Sequence, residues 1–221
     1  MLVHAHGFAV SRGTAEHVHV ELDVRGGLPA FSVIGLGAGA ARDARERVQA
    51  AVLNSGYAVP RKRVTANLAR AATARGAPAF DLVLACCVLA AQGEIDASRL
   101  VRIGLFAELG LGGDLRPCDG VGAVADVAGE AGLDGLIVAR QNLREAHAVG
   151  AVGVAGLSSL RVVAELLKPR PGGKRRRCSD PTPDSVRPTA RDARTSGAPR
   201  ADARAGSTNN TTAGVQGARA P

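Results

Sequence analysis

The 221-residue chain has no tryptophan, one tyrosine and four phenylalanines. All five aromatics, Phe8, Phe31, Tyr57, Phe80 and Phe106, fall in its first half. Lysine is nearly missing too: three stand against 25 arginines, and Lys62 is the only one before Lys168. No long apolar run is present. The longest, Leu82 to Ala91, falls far short of the roughly 18 residues that span a bilayer. The N-terminus lacks the basic-then-apolar pattern of a secretory signal. The four cysteines, Cys86, Cys87, Cys118 and Cys178, have neither zinc-finger nor CxxC spacing, and Cys86 and Cys87 lie inside an apolar run. That pattern predicts core thiols in a reducing compartment, and with it a soluble cytoplasmic chain without a membrane segment. A phosphate-cradling GxxxxGK loop followed by Ser or Thr is also absent. The sole Gly-Lys pair, Gly173-Lys174, runs into Arg175 and has no upstream glycine at the required spacing.

What is present divides sharply near Leu167. Residues 1–167 carry equal numbers of acidic and basic groups, whereas Lys168–Pro221 holds twelve basic residues against four acidic, the whole of the +8 excess. Beyond Leu167 the only branched aliphatic residues are Val186 and Val215. So few large apolar groups cannot offset the entropy of ordering a backbone. The expected organisation is one α/β (α+β) domain over 1–167 and a disordered basic low-complexity tail over 168–221.

Hydrophobic periodicity places the elements. Residues 15–24 alternate strictly: Val18, Val20, Leu22 and Val24 point one way, and His17, His19, Glu21 and Asp23 the other. This is a half-buried strand, paired across a Ser11–Thr14 turn with an earlier one through Phe8 and Val10. Phe31–Ile34 reads as a strand. A helix follows over about Ala40–Ser55, with Ala41, Ala44, Val48, Ala51 and Val52 inward, and with Arg42–Glu46 and Asp43–Arg47 pairs expected on its exposed side. Gly56 is placed to end it. Arg63–Leu68 is a strand, and Ala79–Gln92 a mostly buried helix stopped by Gly93. Strands near Ile103–Leu109 and Asp114–Arg116 then precede a helix at Val121–Ala131, a strand at Leu136–Ala139, a short helix at Asn142–Ala148, a strand at Val152–Val154 and a closing helix at Ser158–Leu167. No internal repeat is visible.

Three patterns bear on chemistry. Gly35-Leu36-Gly37-Ala38-Gly39-Ala40 lies between a strand and a helix and fits GxGxxA, but a dinucleotide site needs an acid about 20 positions on. Gly56 to Arg61 supplies none, so a tight strand-to-helix turn is the simpler reading. His4-x-His6 and His17-x-His19 suggest a metal-binding hairpin. With Phe8 and Val10 on the core face beside Val18 and Val20, His4 and His6 point inward and His17 and His19 outward. On that parity no single ion is held, unless a bulge intervenes. Lys174-Arg175-Arg176-Arg177 is the densest positive charge, suited to weak, salt-sensitive contact with phosphates and lacking interleaved aromatics to stack bases. Its simpler reading is a solvated stretch of tail.

Several stretches, taken in order, resemble the N-terminal domain of magnesium-chelatase-like AAA+ proteins, the ComM/YifB family. They are Gly27 to Phe31 with Val33 to Leu36, Ala44 to Ala51, Asn54 to Tyr57, Arg63 to Ala69, Phe80 to Leu82, and Glu108 to Pro117. The resemblance covers about residues 1–167. It implies a ribosomal-S5-domain-2-like fold, shared with the Lon protease domain, placed before an ATP-hydrolysing AAA+ module in hexameric motors associated with DNA branch migration. ATP and Mg are expected only for that module.

A Lon-type Ser-Lys dyad is not carried over. By the resemblance its serine position falls on Asp81 and its lysine position near Gly122, and neither residue supplies the required group. Asp81 is better suited to a helix N-terminus, accepting backbone N–H bonds. The chain also departs from the family pattern at Arg70-Ala71-Ala72, where Pro-Ala-Asp is usual, and at Gly37, where proline is usual. The Arg-rich sequence after Leu167 is the composition expected of an out-of-frame read-through near Gly172–Lys174. No catalytic, cofactor-binding or metal residues are expected. The chain reads as a non-catalytic assembly or interaction domain that pairs with itself or with an ATPase module and touches DNA weakly through Lys174–Arg177. Two rivals remain open: an NAD(P)-dependent oxidoreductase built on Gly35–Ala40, and a stand-alone nucleic-acid-binding protein with a functional tail.

Overall fold

Arg12 and Gly13 both adopt left-handed backbone angles, φ 51° and 81°. This is the turn whose twist matches the right-handed twist of two flanking antiparallel strands. It joins β1 (Leu2–Ser11) to β2 (Thr14–Arg25), pairing Ser11 with Thr14, Phe8 with His17, His6 with His19 and His4 with Glu21. The computed structural model describes residues 1–68, 78–150 and 152–169. All of them belong to one compact unit, Met1–Cys178. Lys174–Arg177, the rest of the basic tail and Arg70-Ala71-Ala72 lie outside the described residues.

Around the hairpin grows a seven-stranded mixed sheet, so the chain is α/β as expected. The other strands are β3 (Ala30–Ile34), β4 (Arg63–Leu68), β5 (Ile103–Phe106), β8 (Gly135–Ala139) and β9 (Gly153–Leu157), ordered β3-β4-β2-β1-β5-β8-β9. β2 is antiparallel to both β1 and β4, and the remaining pairings are parallel. A small second sheet pairs β6 (Glu108–Leu109) with β7 (Leu115–Arg116).

Helices cover both faces of the main sheet. One face carries α1 (Ala38–Asn54), α2 (Asp81–Gln92) and α6 (Leu160–Leu166), packed over Val18, Val20, Leu22, Val64, Ala66 and Leu68. The helix α2 is buried from Asp81 to Ala90, on every side, because α1 and α6 press on it from beyond the sheet. Such all-round burial explains why its sequence shows no polar stripe. On the other face, α4 (Val121–Glu130) and α5 (Leu143–Val149) enclose Phe8, Phe106, Leu136 and Val138. Further along that face, towards β4 and β3, the strands present Ser32, Thr65, Asn67, Glu21 and Asp23, half-buried or exposed.

The second apolar layer overturns the parity expected from the sequence. Residues directly opposite in an antiparallel pair share a face, so Phe8 lies with His17, not with Val18, whose partner is Gly7. Phe8 is fully buried, but against Phe106 and α4. A chain that buries both faces of one strand gives two apolar sets, and Phe8 and Val10 belong to the other one.

Most elements fall within a few residues of their expected bounds. Not foreseen is α3 (Ala97–Leu100), started by the Asp96 carboxylate accepting from the Ser98 N–H at 3.0 Å. The Arg42–Glu46 and Asp43–Arg47 pairs do not form. Arg42 lies 3.9 Å from Asp43, Arg45 bonds Glu46 at 2.7 Å, and Arg47 turns to a buried partner. Among the described residues no helix is long and apolar enough to cross a membrane.

Of the glycines between β3 and α1, Gly35 is the one the fold requires. Its φ is +98°, and a Cβ there would overlap the Leu68 carbonyl oxygen at the end of β4. Gly39 sits in the first turn of α1 with open space around it. Gly35→Ala should therefore lower stability by about 2 kcal/mol or more, while Gly39→Ala should raise it by about 0.5 kcal/mol. Thermal unfolding of the two variants checks both signs.

Candidate functional site

The first candidate is built where α1 crosses the start of α2. Asp81 lies in the first turn of α2, yet the cap position is Phe80 and makes no side-chain capping bond. Asp81 is thus the acid expected at this helix end, but its bonds go to partners distant in the chain and not to the cap of its own helix. Its carboxylate is fully buried and accepts from Arg47 Nε at 2.6 Å and Nη2 at 3.1 Å. Burial favours a neutral acid, so the carboxyl rises to about 6 despite the opposing pull of the guanidinium and of the Leu109 backbone. Folding is therefore linked to proton uptake here. This group's contribution to stability is greatest below pH 4 and declines as pH climbs towards 6.

Gly122, at the lysine position implied by the family resemblance, lies in the first turn of α4 and donates its N–H to Glu145 Oε1 at 3.3 Å. The thiols are muted by burial. Cys87 is pushed up to about 12, Cys118 up to about 11 and Cys86 well above the usual range, as core positions for Cys86 and Cys87 lead one to expect.

The second candidate lies on the hairpin, on the face shared with Phe8. The register places His6 opposite His19 and His17 opposite Phe8, so the three imidazoles converge. Their ring centroids are 4.6–5.2 Å apart: 4.9 Å for His6–His17, 5.2 Å for His6–His19 and 4.6 Å for His17–His19. One ligand nitrogen from each falls within 4.8 Å of the other two. The expectation that the histidine pairs point to opposite faces is therefore corrected, because the two-residue turn fixes the opposite parity. His4, also on this face, lies 3.9 Å from Glu21 instead.

Hydrogen bonding orders this cluster from behind. The Val101 carbonyl, just after α3, can only accept, so His6 Nε2 donates to it at 3.1 Å. His6 Nδ1 then carries a lone pair and accepts from His17 Nε2 at 2.8 Å. Burial is the main force holding both rings neutral. It lowers His6, with the Val101 bond opposing, and brings His17 down to about 4, helped by the neighbouring histidines. The signal for this site in the sequence is the two-residue spacing between Ser11 and Thr14, which sets His6 opposite His19 and Phe8 opposite His17.

Residues 20–142 match the family model described as the ChlI subunit of Mg-chelatase. The competence protein ComM of Haemophilus influenzae is 38% identical over 132 residues, 60% of this chain and 26% of its own. YifB of Salmonella typhimurium is 34% identical over 154 residues, 70% of this chain and 30% of its own. An uncharacterized protein of Mycobacterium tuberculosis is 34% identical over 183 residues, 82% of this chain and 36% of its own. The chain belongs to the Mg-chelatase ChlI-like family, in which ComM and YifB are its relatives. It spans only about a third of the length of the relatives it matches.

The ion pair gives an asymmetric expectation. Arg47→Met strands a buried carboxylate and should cost about 3–5 kcal/mol at pH 7.5. The loss should shrink near pH 5, where Asp81 takes up its proton. Asp81→Asn leaves a guanidinium that still reaches water, being 24% exposed, and should cost clearly less at pH 7.5. Urea unfolding at both pH values tests this; equal losses for the two variants, unchanged by pH, would contradict it.

Proposed function

We propose that this chain is the non-catalytic N-terminal assembly and interaction domain of a ComM-like AAA+ ATPase. The ATP-driven DNA branch migration implied by the family resemblance would reside in an ATPase module outside these 221 residues. The observation that carries this reading is the Asp81–Arg47 pair. A carboxylate with both oxygens held by one guanidinium occupies the position that, by the family resemblance, corresponds to a Lon-type serine, and by the same resemblance Gly122 falls near the lysine position. No GxxxxGK loop followed by Ser or Thr is present in the sequence to bind ATP phosphates.

On this reading the chain neither hydrolyses ATP nor cleaves peptides, and it works in the cytoplasm. Its partners are a second copy or an AAA+ module, with weak DNA contact through Lys174, Arg175, Arg176 and Arg177. The NAD(P) alternative is weakened by Gly35, whose conformation is already required by the approach of Leu68.

The test is direct. The purified chain is assayed for ATP and peptide hydrolysis, then mixed with Haemophilus influenzae ComM lacking its own matching segment and analysed by sedimentation. Background hydrolysis and a co-sedimenting complex are expected. ATP turnover by the chain itself, or peptide cleavage lost in Asp81→Asn, would overturn the reading.

A further inference from the structure

We propose that His6, His17 and His19 form a binding site for a single divalent first-row transition ion of the zinc class. The case begins with the hairpin. His17 and His19 are two apart on one strand and so share a face, while His6 is directly opposite His19 on the neighbouring strand. A two-residue turn and continuous pairing from Leu2 to Asp23 hold the three backbones in place, so little chain ordering is left for an ion to impose.

The nitrogens are already gathered. Zinc–imidazole bonds of about 2.0–2.1 Å put ligand nitrogens about 3.3 Å apart in a tetrahedron. His6 Nδ1 and His17 Nε2 stand at 2.8 Å and need to open by about half an ångström. The widest pair, at no more than 4.8 Å, has to close by at most about 1.5 Å.

The outer shell is in place too. The Val101 carbonyl takes the Nε2–H of His6 and leaves Nδ1 as the free donor, the arrangement that orients a ligating histidine and raises its basicity. Phe8 closes one side, its ring 5.6 Å from that of His17. His19 is exposed and opens the other side to solvent, which leaves the fourth position for water.

Proton bookkeeping is simple. In the ion-free cluster His17 Nε2 bears the hydrogen that it donates to His6. On binding, that hydrogen passes through solvent to His17 Nδ1, so the ring stays neutral. Three nitrogen lone pairs form coordinate bonds while the hexaaqua ion gives up five of its water ligands and keeps one in the fourth position. Magnesium and calcium prefer oxygen donors, so an all-imidazole set discriminates against both.

The experiment uses the full chain without an affinity tag, at pH 7.5. Titration with Co²⁺ reads geometry through its visible absorption, and competition of Zn²⁺ against a chromogenic chelator reads affinity. One equivalent of four-coordinate Co²⁺, displaced by Zn²⁺, is expected. His17→Gln and the exposed His19→Gln should each weaken binding by more than about 100-fold. His4→Gln and His147→Gln should leave it unchanged. Thermal unfolding without metal establishes that each variant is folded. No binding, a six-coordinate Co²⁺ spectrum, or affinity unaltered in folded His19→Gln would overturn the proposal.

Discussion

The turn at Arg12 and Gly13 is the constraint from which the rest of the domain follows. Two left-handed residues leave one register available to the hairpin, and a one-residue slip would send every side chain of β1 to the opposite layer. In the register adopted, Val3 and Ala5 join Val18, Val20 and Leu22 beneath α2. Phe8 joins Phe106 beneath α4, and the histidines gather beyond the edge of that second layer. The core and the cluster are products of the same parity. Disturbing the turn would damage both.

A second constraint ties the layers above the sheet together. The helix α2 is buried on all sides, and its single charge, Asp81, has no route to water. Burial of a carboxylate is expensive unless a cation meets it with good geometry. Arg47 does so across the α1–α2 contact, and it gives up the surface pair it would otherwise make with Asp43. The result couples the helix that follows β3 to the helix that begins the second half of the domain.

Much of this architecture was legible in the residues. Alternation in 15–24, the apolar stripe through Ala44, Val48 and Val52, and the Gly93 stop each report a local period or a backbone preference. The strand at Arg63–Leu68 was legible for the same reason, and Gly93 does end α2 with φ 84°. Family-like stretches from Gly27 to Pro117 pointed to the ChlI-like family that the comparisons establish. Pairings that depend on long-range contact were not legible. Nothing local in Arg47 distinguishes an exposed helical arginine from one that seeks a buried acid 34 residues away. The histidine parity failed because a strand with apolar residues on both faces offers two ways to choose the core. Phe8 belongs to the second layer, and the two-residue turn is the feature that decides between them.

The most direct measurement is therefore of the hairpin parity itself, by NMR in solution. Nuclear Overhauser contacts between the Phe8 and His17 rings, with histidine ring nitrogen shifts showing His6 protonated on Nε2, are the expected result. Contacts from the Phe8 ring to the Val18 methyls, with His17 and His6 on opposite faces, would contradict the register on which both cores and the histidine cluster depend.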